Sequence, residues 1–252
     1  MKKVLALVLC MLLCMSMFLV GCDKEEAVEK LEKLAGKTPE ELYDAAVEAL
    51  KSADGFEAVS TQKIVMSAQG QKMTMNQEVL SKQNGYDMYF KSENDMAPSA
   101  EMEITYVDGV YYLVQNGKKV KKEISHEEMD QLVSQIYGGG GVADQTLLNI
   151  PESWFEDISF EKDGSSYTLT FIVAAEKYTE MVSNAGLPGA TFTSDVEYVV
   201  YFDADGTLEK TVATFSFEVS GVKCDAVSTS IITIGNVKIT APADADSYSP
   251  TN

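Results

Sequence analysis

The sequence from residue 63 to residue 76 reads KIVMSAQGQKMTMN, two runs of alternating side chains on either side of a polar turn. One face of these runs carries Ile64, Met66, Ala68, Met73 and Met75. Alternation with a period of two is the pattern of a half-buried β-strand. Because a turn this short joins antiparallel neighbours, the stretch predicts a β-hairpin with one apolar face.

The same pattern extends along the chain in both directions. Polar turns at Asn84-Gly85, Asp108-Gly109 and Asn116-Gly117 separate further alternating runs, which predicts an antiparallel meander in the first half. Alternating runs resume at Trp154 and continue to Ile239. The whole chain is therefore expected to supply about ten strands with one polar and one apolar face.

Three or four helices are predicted to cover the apolar face of this sheet. Thr38-Pro39-Glu40-Glu41 places a capping residue and a proline at the start of a helix that runs to about Ser52. Ser125-His126-Glu127-Glu128 is a second capping box, opening a helix to Tyr137, and a third helix is expected over residues 175–185. The predicted fold class is α+β, a large twisted antiparallel sheet with helices on its concave face.

The order of these elements over residues 39–243 resembles the LolA-like lipoprotein-carrier superfamily, including the mycobacterial lipid-carrying lipoproteins. The resemblance implies a curved half-barrel lidded by helices around a hydrophobic cavity. Residues 244–252 are predicted to form a flexible tail.

The amino-terminal residues predict export and lipidation. Lys2 and Lys3 precede an apolar run from Val4 to Val20, and Leu19-Val20-Gly21-Cys22 closes it. This segment resembles a bacterial lipoprotein signal peptide, residues 1–21, ending in a lipobox. The resemblance implies cleavage before Cys22 and a diacylglycerol anchor on its thiol, with residues 22–38 as a lipidated tether. An uncleaved anchor is the alternative, because a run of about 17 residues is the lower limit for a membrane span.

Composition excludes one class of function and one kind of cross-link. Cleavage before Cys22 would leave 231 residues with 18 lysines and 39 acidic residues, and the chain contains no arginine. Such an acidic surface repels nucleic acid, so nucleic-acid binding is excluded. Cys224 would be the only cysteine besides the acylated Cys22, so no disulfide is expected within the chain.

Methionines recur at the inward positions of the predicted strands and on the lid helix. Methionine is unbranched and polarisable, so it suits surfaces that fit variable apolar ligands. The alternative is that these side chains form an ordinary core. The predicted cavity lining comprises Met66, Met73, Met75, Met88, Met102, Met129, Leu132 and Ile136. The helix from Ser125 to Tyr137 would be the lid of this cavity, with Gly138–Gly141 as its hinge.

No residue is predicted to be catalytic, and no metal or cofactor is expected. His126 is the single histidine, so neither a metal site nor a catalytic triad can draw on two histidines. Asp203-Ala204-Asp205-Gly206 resembles part of a calcium-binding loop. In that register Tyr201 is the first position and Val212 the twelfth, where acidic residues are required, so a hairpin turn is favoured. The five residues 118–122 contain four lysines, which either contact a lipid headgroup or wall polymer or protect a strand edge from pairing.

These observations predict a non-enzymatic lipoprotein on the extracytoplasmic face of the cell membrane. Its partners would be the membrane, through acylated Cys22, and an apolar or amphiphilic, lipid-like ligand in the half-barrel. The alternative is a surface-tethered module that interacts with envelope proteins or senses them, without a ligand cavity.

Overall fold

The computed structural model describes residues 39–51, 53–96, 101–137, 150, 152–163, 166–184 and 189–251. The signal peptide, Cys22, the tether and the four consecutive glycines expected to form a hinge lie outside these ranges. Within them, the chain forms three α-helices, two single-turn helices and thirteen strands.

The helices are α1 (Pro39–Lys51), α2 (His126–Tyr137) and α3 (Ala175–Asn184), with single turns at Glu152–Trp154 and Ala245–Ser247. The strands are β1 (Gly55–Ala68), β2 (Gln71–Asn84), β3 (Asp87–Asn94), β4 (Met102–Val107), β5 (Val110–Gln115), β6 (Lys118–Glu123), β7 (Phe155–Asp163), β8 (Ser166–Val173), β9 (Ala190–Phe192), β10 (Val196–Phe202), β11 (Leu208–Val219), β12 (Val222–Ile234) and β13 (Ser249–Pro250).

All thirteen strands belong to one open, twisted sheet with the order β13-β6-β5-β4-β3-β2-β1-β12-β11-β10-β8-β7, and β9 pairs with β11. Strands β1 to β6 form one antiparallel meander. Strands β7 to β12 form a second region, in which most neighbouring strands are joined as antiparallel hairpins. Antiparallel pairing of β1 with β12, from Phe56 opposite Ile234 to Ser67 opposite Lys223, joins the two regions. The predicted α+β class and the meander are confirmed.

The core lies on one face of this sheet, here called the inner face. Alternate residues of the long strands are buried there, as in β10, where Val196, Tyr198, Val200 and Phe202 point inward. Tyr43 of α1 packs edge-on against Phe155 and Phe171, with ring centroids 5.1 and 5.7 Å away. Because the helices bury their apolar stripes against the same face, the other face of the sheet, the outer face, faces solvent except at β4 and β5, where Tyr248 covers Val107 and Tyr112.

The structure corrects two expectations. The sheet has thirteen strands rather than about ten, because β9 and β13 contain three and two residues and are too short to show an alternating pattern. The carboxyl-terminal residues, expected to form a flexible tail, are docked on β6 instead.

This docking combines apolar and polar contacts. Tyr248 is buried and meets Tyr112 edge-on at a centroid distance of 5.4 Å. Lys119 pairs with Asp244, and Lys121 Nζ donates a hydrogen bond of 2.9 Å to the carbonyl of Ala245. Strand β13 then pairs in parallel with β6, so the carboxyl-terminal segment lines the edge of the first meander. An isolated aromatic residue in a polar segment gave no periodic signal from which this docking could be predicted.

A buried pair of tyrosines allows a test of core energetics. The Tyr198 hydroxyl donates a hydrogen bond of 2.7 Å to the Tyr178 hydroxyl, and burial raises the pKa of Tyr178 to about 12, so both remain protonated at neutral pH. Tyr178→Phe should lower the free energy of unfolding in urea by ~1–3 kcal/mol, because the buried Tyr198 hydroxyl loses its acceptor. The double variant Tyr178→Phe/Tyr198→Phe should recover most of this loss. A double variant no more stable than Tyr178→Phe alone would contradict this account.

Candidate functional site

The predicted cavity lining lies mainly on the inner face of β1 to β4. Register places Met66 of β1 opposite Met73 of β2, and Ile64 opposite Met75. Directly opposed residues of antiparallel strands share a face and pack side by side. These four side chains therefore form one continuous apolar patch, here called the methionine patch.

Burial differs among the predicted lining residues. Met66, Met75, Met88 and Met129 are buried in the main core, whereas Met102 and Leu132 are half-buried. Met73 is 47% exposed, so the methionine patch reaches solvent at the end of the hairpin. The side chain of Ile136 lies outside the described residues. The structure thus brings four of these residues into one core cluster, and their role as ligand contacts stays a prediction.

A second feature of the inner face was missed by sequence reasoning. A band of buried polar side chains, here called the polar belt, crosses the adjacent strands β11, β12, β1, β2 and β3. Its members are Ser60, Gln62, Gln77, Ser81, Ser92, Asn94, Thr211, Ser228 and Ser230, each 5% exposed or less. The signal was available, because stepping back by two from Ile64 reaches Gln62 and then Ser60, both at inward positions.

Hydrogen bonding within the polar belt is incomplete. The hydroxyls of Ser60 and Ser230 lie 2.9 Å apart, and Gln77 Nε2 donates a hydrogen bond of 3.1 Å to Ser92 Oγ. By contrast, both polar atoms of the Gln62 amide lack a hydrogen-bond partner in the described part of the chain. The same holds there for Gln77 Oε1, Ser81 Oγ and Ser228 Oγ. Native proteins pair most buried polar atoms, so this concentration requires an explanation.

The predicted lid helix, α2, begins with the capping box expected from sequence. Ser125 N–H donates a hydrogen bond of 2.8 Å to Glu128 Oε2, and Glu128 N–H donates one of 3.1 Å to Ser125 Oγ. His126 stacks on Tyr86 with ring centroids 4.1 Å apart, and its Nδ1 lies 2.9 Å from the hydroxyl of buried Tyr106. The capping box therefore stabilises the first turn of α2, and His126 attaches this turn to β4 through Tyr106 and to the β2–β3 turn through Tyr86.

The lysines of β6 have partners that neither sequence interpretation anticipated. Lys119 and Lys121 bind the carboxyl-terminal segment through Asp244 and the Ala245 carbonyl. The parallel pairing of β13 covers part of the β6 edge at Val120 and Lys121. Two of the four lysines in this run thus stabilise the docked segment of the chain itself.

The outer face carries an open depression of about 840 Å³ over β12, β1, β2 and β3. Glu78, Glu93, Asp95 and Glu101 line it together with Lys63. Hydrogen bonds from the backbone and side chain of Asn76 hold the pKa of the Asp95 carboxyl below its ordinary value. This side of the sheet is therefore acidic at neutral pH and presents an unfavourable surface to anions.

The other residues considered as functional candidates from the sequence, Cys224 and the turn at residues 203–206, are parts of the sheet and of a hairpin. Cys224 is buried at the inner face of β12, opposite Met66. The turn at residues 203–206 is a hairpin turn, in which Asp203 Oδ1 accepts hydrogen bonds from the Asp205 and Thr207 amides. Over the described ranges, no three His, Cys, Asp or Glu side chains are grouped so that they could hold a metal ion.

Among the helices that the structure describes, none has the length and apolar character needed to cross a bilayer.

The fold defines an α+β protein built on an open, twisted half-barrel sheet with helices on its inner face. Residues 38–187 match the model of the Family of unknown function (DUF6612), and the chain belongs to this family. No curated protein matches the sequence.

Several solved structures are similar to this chain at low sequence identity. LprF from Mycobacterium bovis is 10% identical with a TM-score of 0.38, and the match covers 81% of this chain and 95% of LprF. The Mycobacterium tuberculosis lipoprotein LppX is 9% identical with a TM-score of 0.40, covering 80% and 96% of the two chains. A LolA superfamily protein from Nitrosomonas europaea is 12% identical with a TM-score of 0.26, covering 83% and 97%.

The capping box of α2 predicts a pH response. Hydrogen bonds from Ser125 lower the pKa of Glu128, so its stabilising contribution is present above the ordinary carboxyl pKa and is lost as the pH falls through the lowered value. Acidification from neutral pH to about 3 should therefore reduce the protection of the Ser125 amide, which precedes α2, in hydrogen exchange monitored by NMR.

The Glu128→Gln variant should show a smaller change in protection over this pH range, because glutamine does not ionise. Glu127→Gln, at the neighbouring position outside the capping box, is the matched control and should respond like the wild type. An identical response of Glu128→Gln and the wild type would rule out Glu128 as the titrating group.

Proposed function

We propose that this protein is a lipid-anchored extracytoplasmic lipoprotein that binds or carries an apolar or amphiphilic ligand on the inner face of its sheet, without catalysis. The observation that carries the proposal is the methionine patch. It is a continuous apolar surface that begins in the core at Met75 and ends at exposed Met73 on the rim. An apolar surface with one exposed end offers a ligand a route from solvent to the interior.

The chemistry of the side chains supports this use of the patch. Methionine has three rotatable bonds and a polarisable sulfur, so neighbouring methionines repack at low cost around ligands of different shape. Met88 and Met102 lie further along the same inner face on β3 and β4, where Met102 pairs with Ser92 and Met88 lies across the polar belt from Met75, and Met129 of α2 belongs to the same core. The proposed site is therefore the inner face of the first meander beneath α2, with the eight residues predicted from sequence as its lining.

The proposed anchor defines where such a ligand would be exchanged. Two acyl chains on Cys22 would hold the protein firmly at the membrane, since burial contributes ~0.8 kcal/mol per methylene. A tether over residues 22–38 that is half helical and half extended reaches ~40 Å. The tether would therefore keep the domain close to the bilayer surface, and the domain would exchange lipid-like ligands with that surface.

A second candidate function is protein interaction through the outer face. Ile231 is 55% exposed and Val227 is 43% exposed on β12, at the centre of the sheet. Contiguous apolar patches mark protein-interaction sites, and these two residues supply the apolar element of such a patch on this face. A tethered module that contacts an envelope protein would use this face and leave the methionine patch unoccupied.

The anchor is tested by substitution of its acceptor. Cys22→Ser should move the protein from the membrane fraction to the soluble fraction or leave it as an unprocessed precursor, and mass spectrometry should no longer detect an acylated amino-terminal peptide. Cys224→Ser is the matched control and should remain at the membrane, because Cys224 is buried in the sheet. Normal processing and membrane retention of Cys22→Ser would contradict lipidation at this residue.

Ligand binding is tested at the exposed end of the methionine patch. Met73→Glu should strongly reduce the lipid that co-purifies with the full mature chain from a bacterial host, as measured by native mass spectrometry, because a carboxylate at the rim would have to be desolvated. Its thermal midpoint should change little, since Met73 is already half exposed. Thr74→Glu adds the same charge one residue away on the outer face and should retain the lipid. Equal lipid content in the two variants, or no lipid in the wild type, would contradict the proposal.

A further inference from the structure

We propose that the polar belt is a recognition site for an uncharged hydrogen-bonding group of an amphiphilic ligand, such as a hydroxyl, ester or amide that joins apolar segments. This inference rests on the proposed function, because it assumes that a ligand occupies the inner face, and it adds the chemical class that the inner face selects.

The centre of the proposed site is a row of three neighbouring side chains. Register places Gln62 of β1 between Gln77 of β2 and Ser228 of β12, so the three residues lie side by side on the inner face. Each is 3% exposed or less. Each also carries at least one polar atom with no hydrogen-bond partner in the described residues, and for Gln62 this applies to both ends of the amide.

The number of unpaired atoms distinguishes this row from an ordinary polar core. A buried amide that lacks partners loses its hydration without compensation, so a folded protein gains when something supplies the missing hydrogen bonds. The Gln62 amide can donate two hydrogen bonds and also accept, whereas Gln77 Oε1 can only accept. A ligand group with both donor and acceptor capacity, such as a glycerol hydroxyl next to an ester, satisfies this combination.

The polar belt contains only amides and hydroxyls, so it offers no counter-charge to an ionised headgroup. Burying an ion there would cost far more than burying a neutral polar group. Apolar side chains flank the belt on both sides along β1, with Ile64 beyond Gln62 and Ala58 before Ser60. This order of apolar, polar and apolar positions along β1 matches an uncharged polar linkage carrying acyl chains.

The test uses Gln62→Met, which removes the amide but keeps the length and the unbranched shape of the side chain. The probes are glycerol monolaurate, laurate and the uncharged fluorophore N-phenyl-1-naphthylamine, each titrated into the full mature chain, with the two lipids measured by displacement of the fluorophore. Gln62→Met should weaken the binding of glycerol monolaurate by about tenfold, the loss expected for one or two hydrogen bonds. Binding of the fluorophore should change by less than about twofold, and ionised laurate should bind the wild type more weakly than glycerol monolaurate.

Two further variants serve as controls. Thr61→Val, the adjacent residue on the outer face, should bind all three probes like the wild type. Ser228→Ala removes one unpaired hydroxyl with a minimal change of volume and provides the same test if Gln62→Met does not fold. The ligand-free Gln62→Met variant should have a thermal midpoint equal to or above that of the wild type, because an unpaired buried amide is replaced by an apolar group.

The outcomes separate this inference from the proposed function. If the wild type binds the fluorophore and glycerol monolaurate, and Gln62→Met and Ser228→Ala bind them equally well, the polar belt inference is overturned while ligand binding stands. A markedly lower thermal midpoint of Gln62→Met with unchanged binding would also overturn it, since the amide would then be stabilising the protein itself. If the wild type binds neither probe, the proposed function is overturned as well.

Discussion

The pairing of β1 with β12 is the constraint on which the rest of the structure depends. Most other neighbouring strands in the sheet are joined by short hairpins, whereas Ser60 and Ser230 face each other across 170 positions of sequence. Closing such a long loop costs conformational entropy before any contact compensates for it. Once formed, the pairing merges two half-buried meanders into one sheet with a single core. The continuous inner face exists only because these two strands meet.

The polar belt crosses this junction, and its position has a structural consequence. A slip of one residue between β1 and β12 would turn every inward side chain outward. The buried hydrogen bond between Ser60 and Ser230 can form only in the observed register, so it favours this register over its neighbours. A single hydroxyl pair suffices for that purpose. The unpaired amide of Gln62 adds nothing to register, and this is why a ligand is the better explanation for that part of the belt.

Local patterns in the sequence were sufficient to predict most elements. Alternation around Ile64 and Met75 predicted β1 and β2, and Ser125 with Glu128 predicted the start of α2. The pairing partner of β1 carries no local signal, because any alternating strand could occupy that edge. The docking of Tyr248 depends likewise on a surface that exists only after β5 and β6 have paired. The polar belt could be predicted from polar residues at inward positions. That some of its atoms lack hydrogen-bond partners depends on three-dimensional packing, which the sequence does not show.

The two regions of the sheet differ in the side chains that line their inner faces, and this difference bears on function. In the second region Phe155, Phe171 and Tyr198 form a stacked series, with successive centroids 4.0 and 5.0 Å apart, capped edge-on by Tyr43 of α1. Rigid rings in such contact have few alternative packings. The first meander presents methionines from β1 to β4 instead. Stability can thus be concentrated in the aromatic half, while the methionine half keeps the adaptability that a variable apolar ligand requires. The polar belt runs across the strands of both halves, so a ligand bound there would have its polar linkage fixed by β1 and β12 and its chain accommodated by the methionine patch.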